Sequence, residues 1–317
     1  MHISLNNIQT YDFMVSVIIP TYKRSLRLPI AIDSVINQTY KSIEIIVVDD
    51  NNNDEFRIAT KKILEPYLSN KLITYIAHTK NRGGCAARNT GAYAAKGDFI
   101  AFLDDDDFYE PIKIQEQVNF LNNNKTLDAC ICSMFRIDEN KNEIVSRENE
   151  ARGISLKEAI LDGNLFTSML LIKKNVFEKL KGFSEIPRFQ DKFFHYKFLE
   201  NGFKIGVLNK QLLTLVEHND FRISLSTSNK IIYALEVLHH FEVQHKQLFS
   251  KKEWKFILHR FYFKKAYTLS QGTVIQKVKG FVNILKSLKY YTGDFNIVKL
   301  TLKTFIPNFI FKIKNKH

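Results

Sequence analysis

The sequence predicts an α/β protein: a doubly wound, mostly parallel sheet flanked by helices, with a helical appendage at the C-terminal end. Three observations carry this reading. Short runs rich in β-branched residues alternate with amphipathic stretches in the order β-α-β-α-β-α-β-α-β through residue 135. One run, residues 99–103, is apolar without interruption, as a strand covered on both faces must be, and it ends in four consecutive aspartates. After residue 228 the chain keeps a helical pattern and becomes rich in Lys, Phe, Tyr and Ile.

Residues 15–20, Val-Ser-Val-Ile-Ile-Pro, read as a buried first strand, with a turn at Thr21, Tyr22, Lys23 and Arg24. The next helix places Leu28, Ile32, Val35 and Ile36 on one face and tolerates Pro29 in its first turn. A second strand at 43–48 ends in Asp49-Asp50-Asn51-Asn52-Asn53-Asp54, residue types that suit a turn and a helix cap, with Asp54 expected as the cap. The helix that follows carries Phe56, Ala59, Ile63 and Tyr67 on one stripe, and a short strand comes at 72–76. Residues 81–91, Asn-Arg-Gly-Gly-Cys-Ala-Ala-Arg-Asn-Thr-Gly, open a helix with small side chains that can lie close to a sheet or a ligand. Next are the aspartate strand, a helix from Pro111 with Ile114, Val118 and Leu121 inward, and a strand at 129–135. Beyond residue 139 the pattern loosens into a helix near 155–161, an apolar segment at 168–172 and a helix from Lys174. A helix after Gln190 places Phe194, Phe198 and Leu199 on one face and closes at Asn201-Gly202. Two short strands are expected at 203–208 and 212–217.

Composition narrows the function classes. With 317 residues, 45% of them hydrophobic and 13% aromatic, the chain can bury a large core and is neither disordered nor fibrous. Cys85, Cys130 and Cys132 are too few for a disulfide framework and read as small buried hydrophobes in a reducing cytoplasm. Residues 1–13 lack the pattern of a secretory leader, and no apolar run approaches about 18 residues, so a soluble or peripheral protein is expected. The net charge of +13 arises entirely after residue 228, where 17 basic residues stand against 4 acidic ones. The rest of the chain is balanced.

Asp104, Asp105, Asp106 and Asp107 pose an electrostatic problem. Carboxylates held in one loop repel one another and need a cation or raised pKa values. Oxygen-only ligands at the carboxyl end of a strand in such a sheet suit Mg2+ or Mn2+ bound together with substrate phosphates. The plainer alternative is a solvated acidic turn.

Five segments occur in an order that resembles the family 2 glycosyltransferases, inverting enzymes of the GT-A fold. They are Val-Ser-Val-Ile-Ile-Pro-Thr-Tyr at 15–22, Ile-Val-Val-Asp-Asp at 46–50, Asn-x-Gly-x-x-x-Ala-Arg-Asn-x-Gly at 81–91, Phe-Leu-Asp-x-Asp-Asp at 102–107, and Gln190-Asp191. The resemblance covers roughly residues 15–226. It implies a catalytic domain over 1–228, with a nucleotide-binding half near 14–136 and an acceptor half near 137–228, followed by a basic helical region at 229–317.

The resemblance also implies roles. Pro20, Thr21 and Tyr22 would line a nucleotide base, Asp50 would accept a ring N–H of uracil, and Arg88 would approach the ribose or diphosphate. Asp106 would ligate Mn2+ or Mg2+, with Asp104 and Asp105 contacting ribose or ordering the ion's waters, and Asp107 starting the next turn. Asp191 would be the general base, because inversion requires one carboxylate opposite the leaving group; Gln190 stands where the family usually has Glu. His218 falls where some relatives place a metal or phosphate contact, and Thr167 and Ser168 fall in the acceptor segment. Structural alternatives stand beside these roles: a strand-to-helix turn at 20–22, a salt bridge from Arg88 to the aspartates, a helix N-cap at Asp191 and a structural His218.

The implied activity is transfer of a sugar from a nucleotide-sugar, a UDP-sugar in the first instance, to a hydroxyl of a saccharide or lipid-linked glycan in surface polysaccharide synthesis, with no nucleic-acid partner. A nucleotidyltransferase would share the aspartate pair and the metal, but residues 21–24 lack the glycine of a triphosphate loop. A nucleic-acid-binding protein would use the basic, aromatic tail. That tail also suits a cytoplasmic enzyme held peripherally on the inner face of an anionic membrane. Phe281, Ile284, Leu285 and Leu288 form a stripe flanked by Lys277, Lys279, Lys286 and Lys289, and residues 304–311 form a short apolar segment ahead of Lys312, Lys314 and Lys316. An ordinary helical appendage is the alternative.

Overall fold

A computed structural model describes residues 13–23, 26–217 and 227–290. In it the strand Val15–Thr21 (β1) pairs in parallel with Ile43–Asp49 (β2) on one side and Phe99–Phe102 (β4) on the other. Thr74–Ala77 (β3) extends the parallel set beyond β2. The crossovers run through helices Leu28–Ile36 (α1), Asp54–Ser69 (α2) and Gly84–Ala94 (α3). All four residues of β4 are buried, and so are all of β1 except Pro20, which is why these runs are continuous rather than alternating.

The second half of the sheet departs from the expected parallel order. Leu170–Lys173 (β7), foreseen only as an apolar segment, inserts antiparallel between β4 and Ala129–Ile137 (β6). Ile205–Val216 (β8) pairs in parallel with β6, and the two-residue strand Phe108–Tyr109 (β5) pairs antiparallel with β8. The eight strands run β3-β2-β1-β4-β7-β6-β8-β5, a mixed sheet. The two short strands expected at 203–217 are one strand. Its register slips between Cys132–Leu208 and Ser133–Gln211, leaving Asn209, Lys210 and Gln211 exposed at the irregularity.

The flanking helices follow from their sequences. On α1 the buried side chains are Leu28, Ala31, Ile32 and Val35, close to the expected face. On α2 the buried line is Thr60 and Leu64, one residue away from the expected stripe, and the cap is Asn53 rather than Asp54: its side chain accepts the Glu55 N–H at 2.7 Å. Lys113–Asn123 (α4) buries Ile114, Val118 and Leu121. Leu156–Asp162 (α5) starts with a Ser155–Glu158 capping box. Lys174–Lys179 (α6) and Gln190–Glu200 (α7) complete this part of the chain.

Two compact units result: residues 1–185 with 190–219, and residues 186–189 with 220–317. In the second, Ser228–Gln244 (α8), Lys251–Ser270 (α9) and Val274–Tyr290 (α10) are helical. Ile284 of α10 is buried with Ala266 of α9 and packs with Phe263, Phe281 and Leu288. The stripe expected to face a bilayer therefore faces α9, apart from Leu285. Residues 304–311 and their flanking lysines lie outside the described residues, and no described helix is long and apolar enough to cross a membrane.

Gly91 sets how closely α3 approaches the sheet. A Cβ there would lie 2.4 Å from Ile18 Cγ2 and 3.0 Å from Val48 Cγ2, both on fully buried strand residues. Gly91→Ala is expected to destabilise the protein. Overpacking of this kind costs about 1–3 kcal/mol, against about 1 kcal/mol gained in helix propensity. Calorimetry reads the outcome as a lower melting temperature, and an unchanged or higher one contradicts the close-approach argument.

Candidate active site

The parallel strands deliver their next residues to one edge of the sheet. Pairing continues just past each strand end: Asp50 N–H donates to Thr21 O at 3.0 Å, His78 N–H to Asp49 O at 2.9 Å, and Leu103 N–H to Ile18 O at 3.0 Å. Such carboxyl ends are where ligands bind in open α/β sheets. A cleft of about 930 Å3 also opens at the other end of β4, lined by Phe13, Asp98, Phe99 and several lysines, but it holds none of the candidate site residues.

Three of the four aspartates have different partners, and three of the four converge. Asp104 pairs with the Arg88 guanidinium. Asp105 is buried and accepts the Thr21 hydroxyl at 2.7 Å. Asp107 is buried too; it accepts the Val216 N–H at 3.1 Å and closes the turn by donating its own N–H to Asp104 O at 3.2 Å. Asp106 is half-buried. Asp104, Asp106 and Asp107 each offer a carboxylate oxygen within 4.8 Å of the others, so Asp104 and Asp107 join Asp106, the residue to which sequence reading gave the ion. An all-oxygen, anionic donor set of this size fits a hard divalent cation.

Residues 81–91 tie this edge together. Asp50 is buried, and its Oδ1 meets His78 Nδ1 at 2.7 Å and the Arg82 N–H at 2.8 Å. Its Oδ2 accepts Asn81 Nδ2 at 2.9 Å and the Gly83 N–H at 2.7 Å. A carboxylate has about four acceptor sites. A base N–H reaching Asp50 must replace one of these donors. Gly83 has φ 86°, a conformation that favours glycine and starts α3. Arg88 then projects from α3, and Asn89 clamps the 182–184 segment by accepting the Phe183 N–H and donating to its carbonyl, both at 2.8 Å.

Arg88 is the hub. Besides Asp104 it reaches Gln190 Oε1 at 3.4 Å, while its buried Nε–H has no partner among the described residues. Burial alone would lower its pKa; Asp104 above all, with Cys85 and Asp191, raises it instead, so the guanidinium is charged. An orphaned cationic donor beside a carboxylate cluster is suited to a phosphate oxygen.

Asp191 lies in the first turn of α7 rather than at its N-cap, and its Oδ1 accepts the N–H of Lys192 at 2.7 Å. Burial raises its pKa, against the Lys192 N–H and Arg88, and Asp104 adds to the rise. One turn later the buried His195 donates Nε2–H to Gly153 O at 2.7 Å, and burial lowers its pKa to about 4, so the ring is neutral. Of the acceptor candidates, Thr167 and Ser168 are both buried, and Ser168 Oγ lies 3.4 Å from Asp104 N. Tyr22 and Pro20 are half-buried at the end of β1, with Lys23 Nζ 5.2 Å from the Tyr22 ring centre. His218 lies outside the described residues. Sequence reading missed His78, gave Asp107 only the start of a turn, and gave Asn89 only a place in the motif at 81–91. His78, which also meets Thr90 Oγ1 at 2.9 Å, gives no local signal in the chain.

Residues 16–198 match the family described as glycosyl transferase family 2. A glycosyltransferase of Methanocaldococcus jannaschii is 30% identical over 203 residues, 63% of this chain and 69% of that protein. One from Rickettsia typhi is 34% identical over 201 residues, 60% of each, so this chain spans less than two thirds of that relative. Among solved structures, S. aureus TarS 1–349 in complex with UDP-GlcNAc superposes with a TM-score of 0.60 at 17% identity, over 88% of this chain and 89% of TarS 1–349. The mannosyltransferase PcManGT from Pyrobaculum calidifontis, in complex with GDP-Man and Mn2+, gives 0.55 at 19% identity, over 92% and 79%. Identities this low speak for the fold, which is GT-A. The family match spans β1 to α7, the elements that carry Asp50, Arg88, the aspartates and Asp191, and this chain belongs to glycosyl transferase family 2.

Proposed function

We propose that the chain is an inverting glycosyltransferase that moves a sugar from a UDP-sugar to a hydroxyl of a saccharide or lipid-linked glycan, as a step in surface polysaccharide synthesis. The observation that carries this reading is the convergence on Arg88 of Asp104 from the acid cluster and of Gln190 and Asp191 from α7. It brings a phosphate-binding cation, a metal-binding carboxylate and a candidate base together. The UDP-GlcNAc in TarS 1–349 supports a uridine nucleotide, and the Mn2+ in PcManGT supports a divalent ion.

Pro20, Thr21 and Tyr22 form the wall of the base site. Asp50 takes the uracil N–H by giving up the Asn81 amide, the donor carried by an exposed side chain. Arg88 binds the diphosphate with its unpartnered Nε–H, and Asp104 and Asp105 hold the ribose side of the turn. Asp106, joined by Asp104 and Asp107, would hold Mn2+ or Mg2+, which would neutralise charge on the departing diphosphate. His218 is a further candidate contact to ion or phosphate. Asp191 accepts the proton of the acceptor hydroxyl as that oxygen bonds to the anomeric carbon; the bond to the phosphate oxygen breaks, and its electron pair leaves with the nucleoside diphosphate. Thr167 and Ser168 stand on the acceptor side. A lipid-linked acceptor would place this reaction at the cytoplasmic face of the cell membrane.

Asp106→Ala is expected to keep its melting temperature and to lose both sugar transfer and the Mn2+-dependent gain in UDP affinity, read by calorimetric titration with and without the ion. Transfer at the parental rate would remove Asp106 from the metal set.

Asp191→Asn is expected to bind donor normally and to transfer more slowly by roughly two to four powers of ten, the range for loss of a general base. A base must be unprotonated, and burial raises the Asp191 pKa. The parental rate should therefore fall with pH through a pKa above the ordinary aspartate value of about 3.9, and this acid limb should vanish in the variant. Proton NMR of the product anomer gives an independent check, since retention of configuration excludes this mechanism.

A further inference from the structure

Helix α10 carries two apolar stripes, and among the described residues only one of them has a partner. Gly280, Ile284 and Ser287 are buried, and Ile284 packs with Phe281 and Leu288 against α9. Away from this contact, Ile275, Val278, Val282 and Leu285 recur at spacings of three and four, with Val274 at the helix start. These five side chains are 47–78% exposed, so a continuous aliphatic arc faces outward over three turns. Isolated exposed aliphatics are ordinary, but an aligned set of five is not.

The charges around the arc are of one sign. Lys277, Lys279, Lys286 and Lys289 are the only charged residues of α10, and none has an acidic partner among the described residues. By helical geometry Lys289 falls within the arc and Lys279 and Lys286 border it, and all three are exposed. Across residues 227–290 there are 12 basic and 3 acidic residues.

Charge selects the occupant. A second copy would set lysines against lysines, with no carboxylate on this helix to meet them. Residues 291–317 carry five Lys against one Asp and would do the same. An anionic bilayer supplies both missing partners, an apolar layer for the valine, isoleucine and leucine side chains and negative headgroups for the exposed lysines, whose long stems let the ammonium groups reach them. We propose that α10 docks this chain in the interface of an anionic membrane, with the arc from Val274 to Leu285 inward. The proposal does not depend on the sugar-transfer reading, because lipid binding is measured alone.

Flotation of the full chain with vesicles of phosphatidylcholine, with and without about 30% phosphatidylglycerol, tests it. The parent should float with the anionic vesicles only, and added salt should release it. Val278→Glu with Val282→Glu should lower the bound fraction at least tenfold. Lys279→Glu with Lys286→Glu leaves the aliphatic arc intact and should do likewise, which guards against misfolding of the first variant. Three results overturn the proposal: no flotation of the parent, equal flotation of parent and both variants, or equal binding to neutral vesicles. A parent that does not float and sediments as a dimer, with the Val278→Glu, Val282→Glu variant a monomer, would instead assign the arc to a second copy.

Discussion

Two carboxylates 4 Å apart repel by about 1 kcal/mol in water and by about four times that near a protein surface, and the turn after β4 holds four in succession. The structure gives three of them separate partners. Asp104 meets a guanidinium from α3, Asp105 a hydroxyl from the end of β1, and Asp107 a backbone N–H at the end of β8. Three segments distant in sequence must therefore be in place before the turn can hold its shape. The site is in this sense a property of the whole sheet, and the turn alone would not keep it.

The two sides of the site differ in how completely they are satisfied. Around Asp50 every acceptor position has a donor, which fixes the loop at 81–83. Around Arg88, by contrast, a buried N–H stays without a partner among the described residues. The first arrangement limits the ordering cost of binding. The second leaves a donor whose desolvation is uncompensated until an anion arrives.

Much of this was legible in the chain. The spacing from Asn81 to Gly91 is explained residue by residue: Asn81 and Gly83 serve Asp50, Arg88 serves Asp104, Asn89 clamps Phe183, and Gly91 lets α3 touch Ile18 and Val48. Local chemistry dictates those residue types, so sequence shows them. What sequence did not show depends on pairing. The Leu170–Lys173 run looks the same whether it runs parallel or antiparallel, and only its neighbours β4 and β6 decide. The join of 203–208 and 212–217 into one strand was hidden because Asn209 and Lys210 bulge out of the register with β6. His78 and Asp107 owe their roles to partners 28 residues back and 109 residues ahead. On α10 the helical period was visible, but not which of two apolar stripes meets α9.

Strand β4 has β1 on one side and β7 on the other, one neighbour from each half of the catalytic sequence. Strand β6, at the end of the first half, pairs only with β7 and β8 from the second. The chain is therefore interlaced and cannot be parted near residue 136 into a donor module and an acceptor module. A fragment ending there would bare one edge of β4 and both edges of β6, in strands whose inner residues are wholly buried, and exposed apolar edges of that kind recruit other strands. Exchanging the second half of this scaffold for a foreign one would have to carry β6, β7 and β8 together, leaving the β4–β7 seam as the natural line of exchange.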